Sequence, residues 1–221
     1  WWVSRWIPQA PPTDAELTIH WNPVVPTYEI LKFTTRSRPV FLSILGVSWF
    51  WLFGATMISL FPSYCKEVVG GRESLVTLFL ACFSIGIGLG SILCEKLSRR
   101  SIELGLVPFG SLGMSIFTFD LSLSSRGQNF AEFSHLNLGA IEFLRLPQGQ
   151  HVVLDLLLIS LFSGFFIVPM NAIMQDRSEA KLRSRIIAGN NVINAFFMVA
   201  SALLLTLMLR LEFAISQIFA A

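Results

Sequence analysis

Charge is scarce in this chain. Asp, Glu, Lys and Arg make up 14% of its 221 residues, where a soluble domain carries about 25%. The formal net charge is only +2, and no basic stripe with interleaved aromatics is present, so a nucleic-acid binder is excluded. Cysteine is scarce too. Cys65, Cys82 and Cys94 form no CxxC or CxxH pair and read as packing residues. His20, His135 and His151 are scattered, so the expectation is no metal site and no cofactor. The chain contains no GxxxxGK[ST], GxSxG or HExxH, which leaves ATP-driven, serine-hydrolase and zinc-protease chemistry without a basis. No catalytic residue is assigned.

What is present is apolar. Hydrophobic residues are 53% of the chain, and the mean hydropathy is +0.65. They fall in blocks free of charge, the mark of membrane spans. Such blocks run over 39–65, 74–94, 104–119, 152–175 (interrupted only by Asp155) and 186–209. A helix needs about 20 apolar residues to cross the hydrocarbon core, with a range of about 17–25. The third block reaches that length if 102–123 is helical with Glu103 and Asp120 at the two interfaces. Five spans are therefore expected, at about 39–62, 74–94, 102–122, 152–175 and 186–210. They must be helical, because lipid offers open strands no partners.

The loops between them alternate in charge. Arg5, Lys32, Arg36 and Arg38, then Lys96, Arg99 and Arg100, then Arg177, Lys181, Arg183 and Arg185 make eleven basic residues on one side. Lys66, Arg72, Arg126, Arg145 and Arg210 make five on the other. Positive-inside bias puts the eleven in the cytoplasm. The chain begins at Trp1 and reads as a fragment. Residues 1–7 fit the end of an earlier span, 8–38 a proline-rich cytoplasmic linker between two bundles, 39–211 the bundle itself, and 212–221 a truncated tail too short to span. In the outer loop 124–150, "FAEFSHLNLGAIEFL" fits an interfacial helix with Phe130 and Phe133 in the headgroups, or an ordinary surface loop.

Several features inside the spans invite a function. Gly86, Gly88 and Gly90 in "SIGIGLGS" give bare backbone for close helix packing, which in a transporter also suits a sliding face. Trp49 and Trp51 lie near mid-span, either against lipid and neighbouring helices or lining a cavity fit for an amphipathic lipid. Asn190 and Asn194 share one helix face, with Asn191 about 100° round. Asn171 and Gln175 are likewise four apart on the preceding span, so the two pairs are placed to meet. Amides in lipid face a bundle interior or a wet cavity. The expected role is either interhelical bonding or a polar lining for a headgroup. Pro169 frees a carbonyl and is a candidate kink. His151 and Asp155 are the one tempting acid–base pair, and a local hydrogen bond is the expected role.

The loop "SILCEKLSRR" resembles the signature loop of the major facilitator superfamily, G-x-L-x-D-R-x-G-R-R. Ser91, Leu93, Glu95, Lys96, Ser98, Arg99 and Arg100 take its positions, with identity at Leu93, Arg99 and Arg100. In that family the loop latches one conformational state. "SILGVSWFWLFGA", "EKLSRRSIELGLVPFGSLGMSIF" and "GFFIVPMNAIMQDRSEAKLRSRIIAGNNVINAFFMVAS" look like bacterial lysophospholipid transporters of the same superfamily. The resemblance runs from the linker to Leu211. It implies an all-α membrane protein holding part of the second six-helix bundle of a twelve-helix fold, located in the bacterial inner membrane. It also implies partners: membrane lipid, the N-terminal half of the same transporter, a lysophospholipid substrate, and in some members a fused acyltransferase. The substrate comes from resemblance alone. Rival readings are a carrier of another small solute and a membrane anchor for a fused enzyme.

Overall fold

A computed structural model describes residues 1–6, 24–99, 101–126, 130 and 137–220. Those residues are helical almost throughout, and the fold is all-α. The helices are α1 (Val24–Thr34), α2 (Arg38–Ser63), α3 (Glu73–Leu97), α4 (Leu106–Ser124), α5 (Ala140–Arg145), α6 (Pro147–Asp176), α7 (Arg183–Arg210) and α8 (Ile215–Ala220). Five are long and apolar enough to cross a membrane: α2 with its π-helical extension to Val69, α3, α4, α6 and α7. This is the number expected from the charge-free blocks.

Local chemistry sets the helix ends. Pro39 opens α2, where its missing N–H would be unpaired anyway. Leu146, held extended at ψ 135° before Pro147, separates α5 from α6. The third span differs from its expected 102–122. It starts at Leu106, because Leu104 and Gly105 form a turn, and Ile102 and Glu103 lie outside the helix. It runs instead to Ser124, and its 19 residues still span. Pro62 precedes the π-helical turn Tyr64–Val69, which ends on Gly70 in the left-handed region at φ 68°. Pro169 is buried inside an α6 that continues through it.

Several hydroxyls within the spans are satisfied by their own helices. Ser43, Thr56, Ser84, Ser91, Ser163 and Thr206 each donate to the carbonyl four residues earlier. This lets polar residues sit in lipid at little cost.

We call the end holding 64–72, 124–126 and 137–147 the upper end and the opposite one the lower. The largest core cluster sits at the upper end. There Tyr64 packs on Phe79 and Phe219, and Phe79 on Phe61 and Phe143. Ser125 donates to the Tyr64 hydroxyl at 2.9 Å. Phe130 is not placed for the headgroups: it is buried and stacks on Phe143. Phe133 lies outside the described residues. The 212–221 tail is not loose either. α8 packs on α4 and buries Ile215, Ile218 and Phe219, and Ser122 donates to the Ser216 carbonyl at 2.6 Å.

α6 is the central helix, packed on α2, α3 and α4. The contact with α3 is backbone to backbone. A methyl added at Gly86 would meet Ser160, one at Gly90 would meet the Leu161 carbonyl, and one at Gly164 would meet Gly90 and Ser91. Gly88 points out of this contact into open space, because it lies two residues round the helix from each. At the lower end, α1 occupies part of the expected linker. It lies on α7, with Ile30 and Thr34 over Gly189. Phe33 is flanked by the guanidinium groups of Arg36 and Arg185 at 4.2 and 5.4 Å. Linker residues 8–23 lie outside the described residues. Near the chain start, Val3–Trp6 form one exposed 3-10 turn.

Candidate functional site

A polar seam joins α2 to α7. Asn190, Asn194 and Ser201 recur on one face of α7, and all three are buried. Ser48 donates to the Asn194 side-chain carbonyl at 2.7 Å in a fully buried bond. Thr56 and Ser201 are 3.1 Å apart. The Thr56 proton already goes to the Leu52 carbonyl at 2.9 Å, so Ser201 is the donor between them. Asn190 Oδ1 is buried with no hydrogen-bond partner. Asn191, one step round, is exposed.

The amide pairs do not meet as the spacing suggested. Asn171 donates to the Ile167 carbonyl of its own helix at 3.1 Å, and Gln175 is exposed. The partner of Asn194 is Ser48 on α2, which the sequence reading passed over. Its signal was a hydroxyl inside a charge-free span.

The two tryptophans part company. Trp49 stacks on Phe53 at 5.9 Å and lines an open, mostly apolar groove of about 600 Å³ between α2, α4 and α8. Phe53, Thr56, Met114, Thr118 and Phe219 share that lining, so α8 enters the groove at one end. Thr118 Oγ1 is buried and unpaired. Trp51 is turned away, 44% exposed, with its edge against Phe50. It does not line this groove.

The expected latch residues lie at the foot of α3. Ser91 bonds back to Ile87, Leu93 is exposed, and Glu95, Lys96 and Arg99 are all exposed. Arg99 sits in the left-handed region at φ 49°, which turns the chain sharply out of the helix. Among the described residues, no ion pair holds Glu95, Lys96 or Arg99. Arg100 lies outside the described residues.

A second polar group stands at the upper end, where α4 meets α6. His151 Nε2 is 2.9 Å from Asp120 Oδ2 and 3.8 Å from Asp155 Oδ2. The expected local bond from His151 to Asp155 is therefore not the short contact. The ring reaches across to α4, because Asp120 projects beside the first turns of α6. Asp155 is buried while His151 and Asp120 are about half exposed. Its Oδ2 makes no hydrogen bond.

Comparison with known proteins adds sequence relatives. No family model matches the chain, and no solved structure matches it. The chain is 26% identical over 180 residues to the lysophospholipid transporter LplT of Klebsiella pneumoniae (strain 342), covering 80% of this chain and 39% of that protein. It is 27% identical over 164 residues to LplT of Escherichia coli O157:H7, covering 72% of this chain and 35% of the relative. LplT of Cronobacter sakazakii is 28% identical over 139 residues, covering 62% of this chain and 29% of the relative. The chain thus spans 29–39% of the length of these curated relatives. It is a multi-pass, all-α membrane protein similar, over most of its length, to bacterial lysophospholipid transporters.

Proposed function

We propose that the chain forms five spans of a secondary transporter of the major facilitator superfamily, one that moves lysophospholipids across the bacterial inner membrane by alternating access. The observation that carries this reading is the similarity to LplT transporters across 80% of the chain. The relatives are named as transporters. A fused acyltransferase is compatible with this reading and belongs to residues other than these.

The exposed surface of α7 supports a partner bundle. In α6, 56% of the most apolar window is buried, whereas in α7 the figure is 11%. That open face carries Asn191 among apolar residues. An amide is costly against hydrocarbon and is retained where it meets a polar partner or a wet cavity. In the proposed fold this is where the first half of the transporter rocks against the second around a site near the midplane. The buried seam of Ser48, Asn194, Thr56 and Ser201 then holds α2 and α7 together as one moving unit. Of the two tryptophans, Trp49 lines the groove and Trp51 is exposed outside it. The lower end, with its basic loops, is cytoplasmic.

The test is uptake of labelled lysophosphatidylethanolamine by cells that lack their own carrier and express the full-length protein. Uptake above the empty-vector control is expected. Arg99→Gln with Arg100→Gln is expected to lower the rate several-fold at equal membrane abundance, because the basic cluster biases one state rather than binding lipid. No uptake from protein that is present in the membrane would reject the lysolipid reading.

A further inference from the structure

Asp120, His151 and Asp155 bring their ligand atoms within 4.8 Å of one another at the upper end of the α4–α6 contact. We propose that they form a binding site for a divalent transition-metal cation of the zinc or cobalt kind. This goes beyond the transport reading and does not depend on it.

Two independent observations support the site. One is the set itself. An imidazole and two carboxylates from two helices converge, and one nitrogen with two oxygens suits borderline divalent metals. With bonds of about 2.0–2.2 Å, tetrahedral ligands stand roughly 3.4 Å apart. The observed separations of 2.9 Å and 3.8 Å from His151 Nε2 bracket that figure. The two carboxylates complete the set, with all three ligand atoms within 4.8 Å of one another. The other observation is Asp155. Its side chain is 2% exposed, and its Oδ2 has no hydrogen-bond partner. A buried carboxylate oxygen without a hydrogen bond is unfavourable. His151 Nε2, at 3.8 Å, is in ion-pair range but beyond hydrogen-bond reach, and it is already 2.9 Å from Asp120. A cation between the three satisfies the orphaned oxygen.

Access and depth also fit. His151 and Asp120 are 48% and 44% exposed at the side chain, so a cation can enter from the upper surface and keep a fourth position for water. At about 1.5 Å per residue, His151 lies about 6 Å into α6 and Asp155 about 12 Å. That depth is near the boundary between headgroups and hydrocarbon.

A purely structural Asp–His–Asp bridge is the competing account, and the experiment separates the two. The purified full-length protein, stripped with chelator, is titrated with Co²⁺ while its visible absorption is followed. Its thermal unfolding is then compared with and without Zn²⁺. One equivalent of Co²⁺ per chain with ligand-field bands is expected, together with a Tm raised by Zn²⁺. His151→Ala should weaken binding at least about 100-fold, since loss of a mere partner to a ligand already costs about 10–100-fold. Asp155→Asn should lose the Zn²⁺ response while leaving the metal-free Tm unchanged or raised, because it removes a buried carboxylate whose Oδ2 has no hydrogen bond. No saturable Co²⁺ spectrum in the parent protein overturns the site. So does a spectrum that survives both substitutions, or an Asp155→Asn protein that is destabilised without metal.

Discussion

At the scale of single residues, two asparagines one turn apart on α7 have opposite energetic roles. Asn194 accepts the Ser48 proton at 2.7 Å, whereas the side-chain carbonyl of Asn190 is buried without a donor. Interhelical hydrogen bonds in membrane proteins average about 0.6 kcal/mol, with a maximum near 1.7. Asn194→Leu should therefore destabilise the full-length protein by about 1 kcal/mol, and Ser48→Ala by a similar amount. The double variant should be no worse than the worse single one, since both remove one bond. Asn190→Leu should be neutral or stabilising, because removing an unpaired buried acceptor removes its desolvation cost. Thermal unfolding in detergent reads all four. Additive losses at Ser48 and Asn194 would show that the bond carries no coupling energy. The shared face of Asn190 and Asn194 was legible from their spacing. The unequal fates of the two amides were not, because they depend on which α2 side chain stands opposite.

At the scale of the helix, the α3–α6 contact depends on backbone reaching backbone. Gly90 and Gly164 face each other, and a methyl on either would overlap the opposing main chain. Main chain cannot step aside as a flexible side chain can. Overpacking of this kind costs typically about 1–3 kcal/mol. Gly90→Ala and Gly164→Ala should each lower the unfolding free energy by at least that much, while Gly88→Ala, which meets nothing within 4 Å, should stay within about 0.5 kcal/mol. Equal effects at Gly88 and Gly90 would refute the assignment of faces. Much of this scale was readable in advance. Charge-free blocks gave five spans because a lipid-crossing helix excludes charge along its whole length. The period of the glycines marked a close contact. The ends were harder, since a turn at Gly105 or an extended Leu146 is a local choice that hydropathy does not register. Gly110 and Gly113 also let α4 approach α6, against Phe162 and Phe166. They were missed because they fall outside the small-xxx-small spacing.

At the scale of the whole molecule, pairing between distant segments was invisible to spacing. Asp120 and His151 are 31 residues apart with a loop and α5 between them, and Ser48 is 146 residues from Asn194. Only the packing of α4 on α6 and of α2 on α7 brings them together. Orientation, by contrast, follows from charge alone. Eleven basic residues fall in the sequence segments expected on one side and five in those expected on the other, and each Lys or Arg near an anionic cytoplasmic leaflet is worth about 1 kcal/mol. The native cysteines give little background to chemical labelling, because Cys65, Cys82 and Cys94 are all buried. Gln148 is exposed in the first turn of α6, and Glu179 is exposed just beyond its last residue, Asp176. Gln148→Cys in the full-length protein should react with a membrane-impermeant maleimide in cells whose inner membrane is intact. Glu179→Cys should react only after that membrane is opened. The reverse pattern would invert the proposed topology and place the Asp120–His151–Asp155 group in the cytoplasm. Labelling of both sites in intact cells would mean a chain inserted in two orientations, which an imbalance of eleven to five does not permit under positive-inside bias.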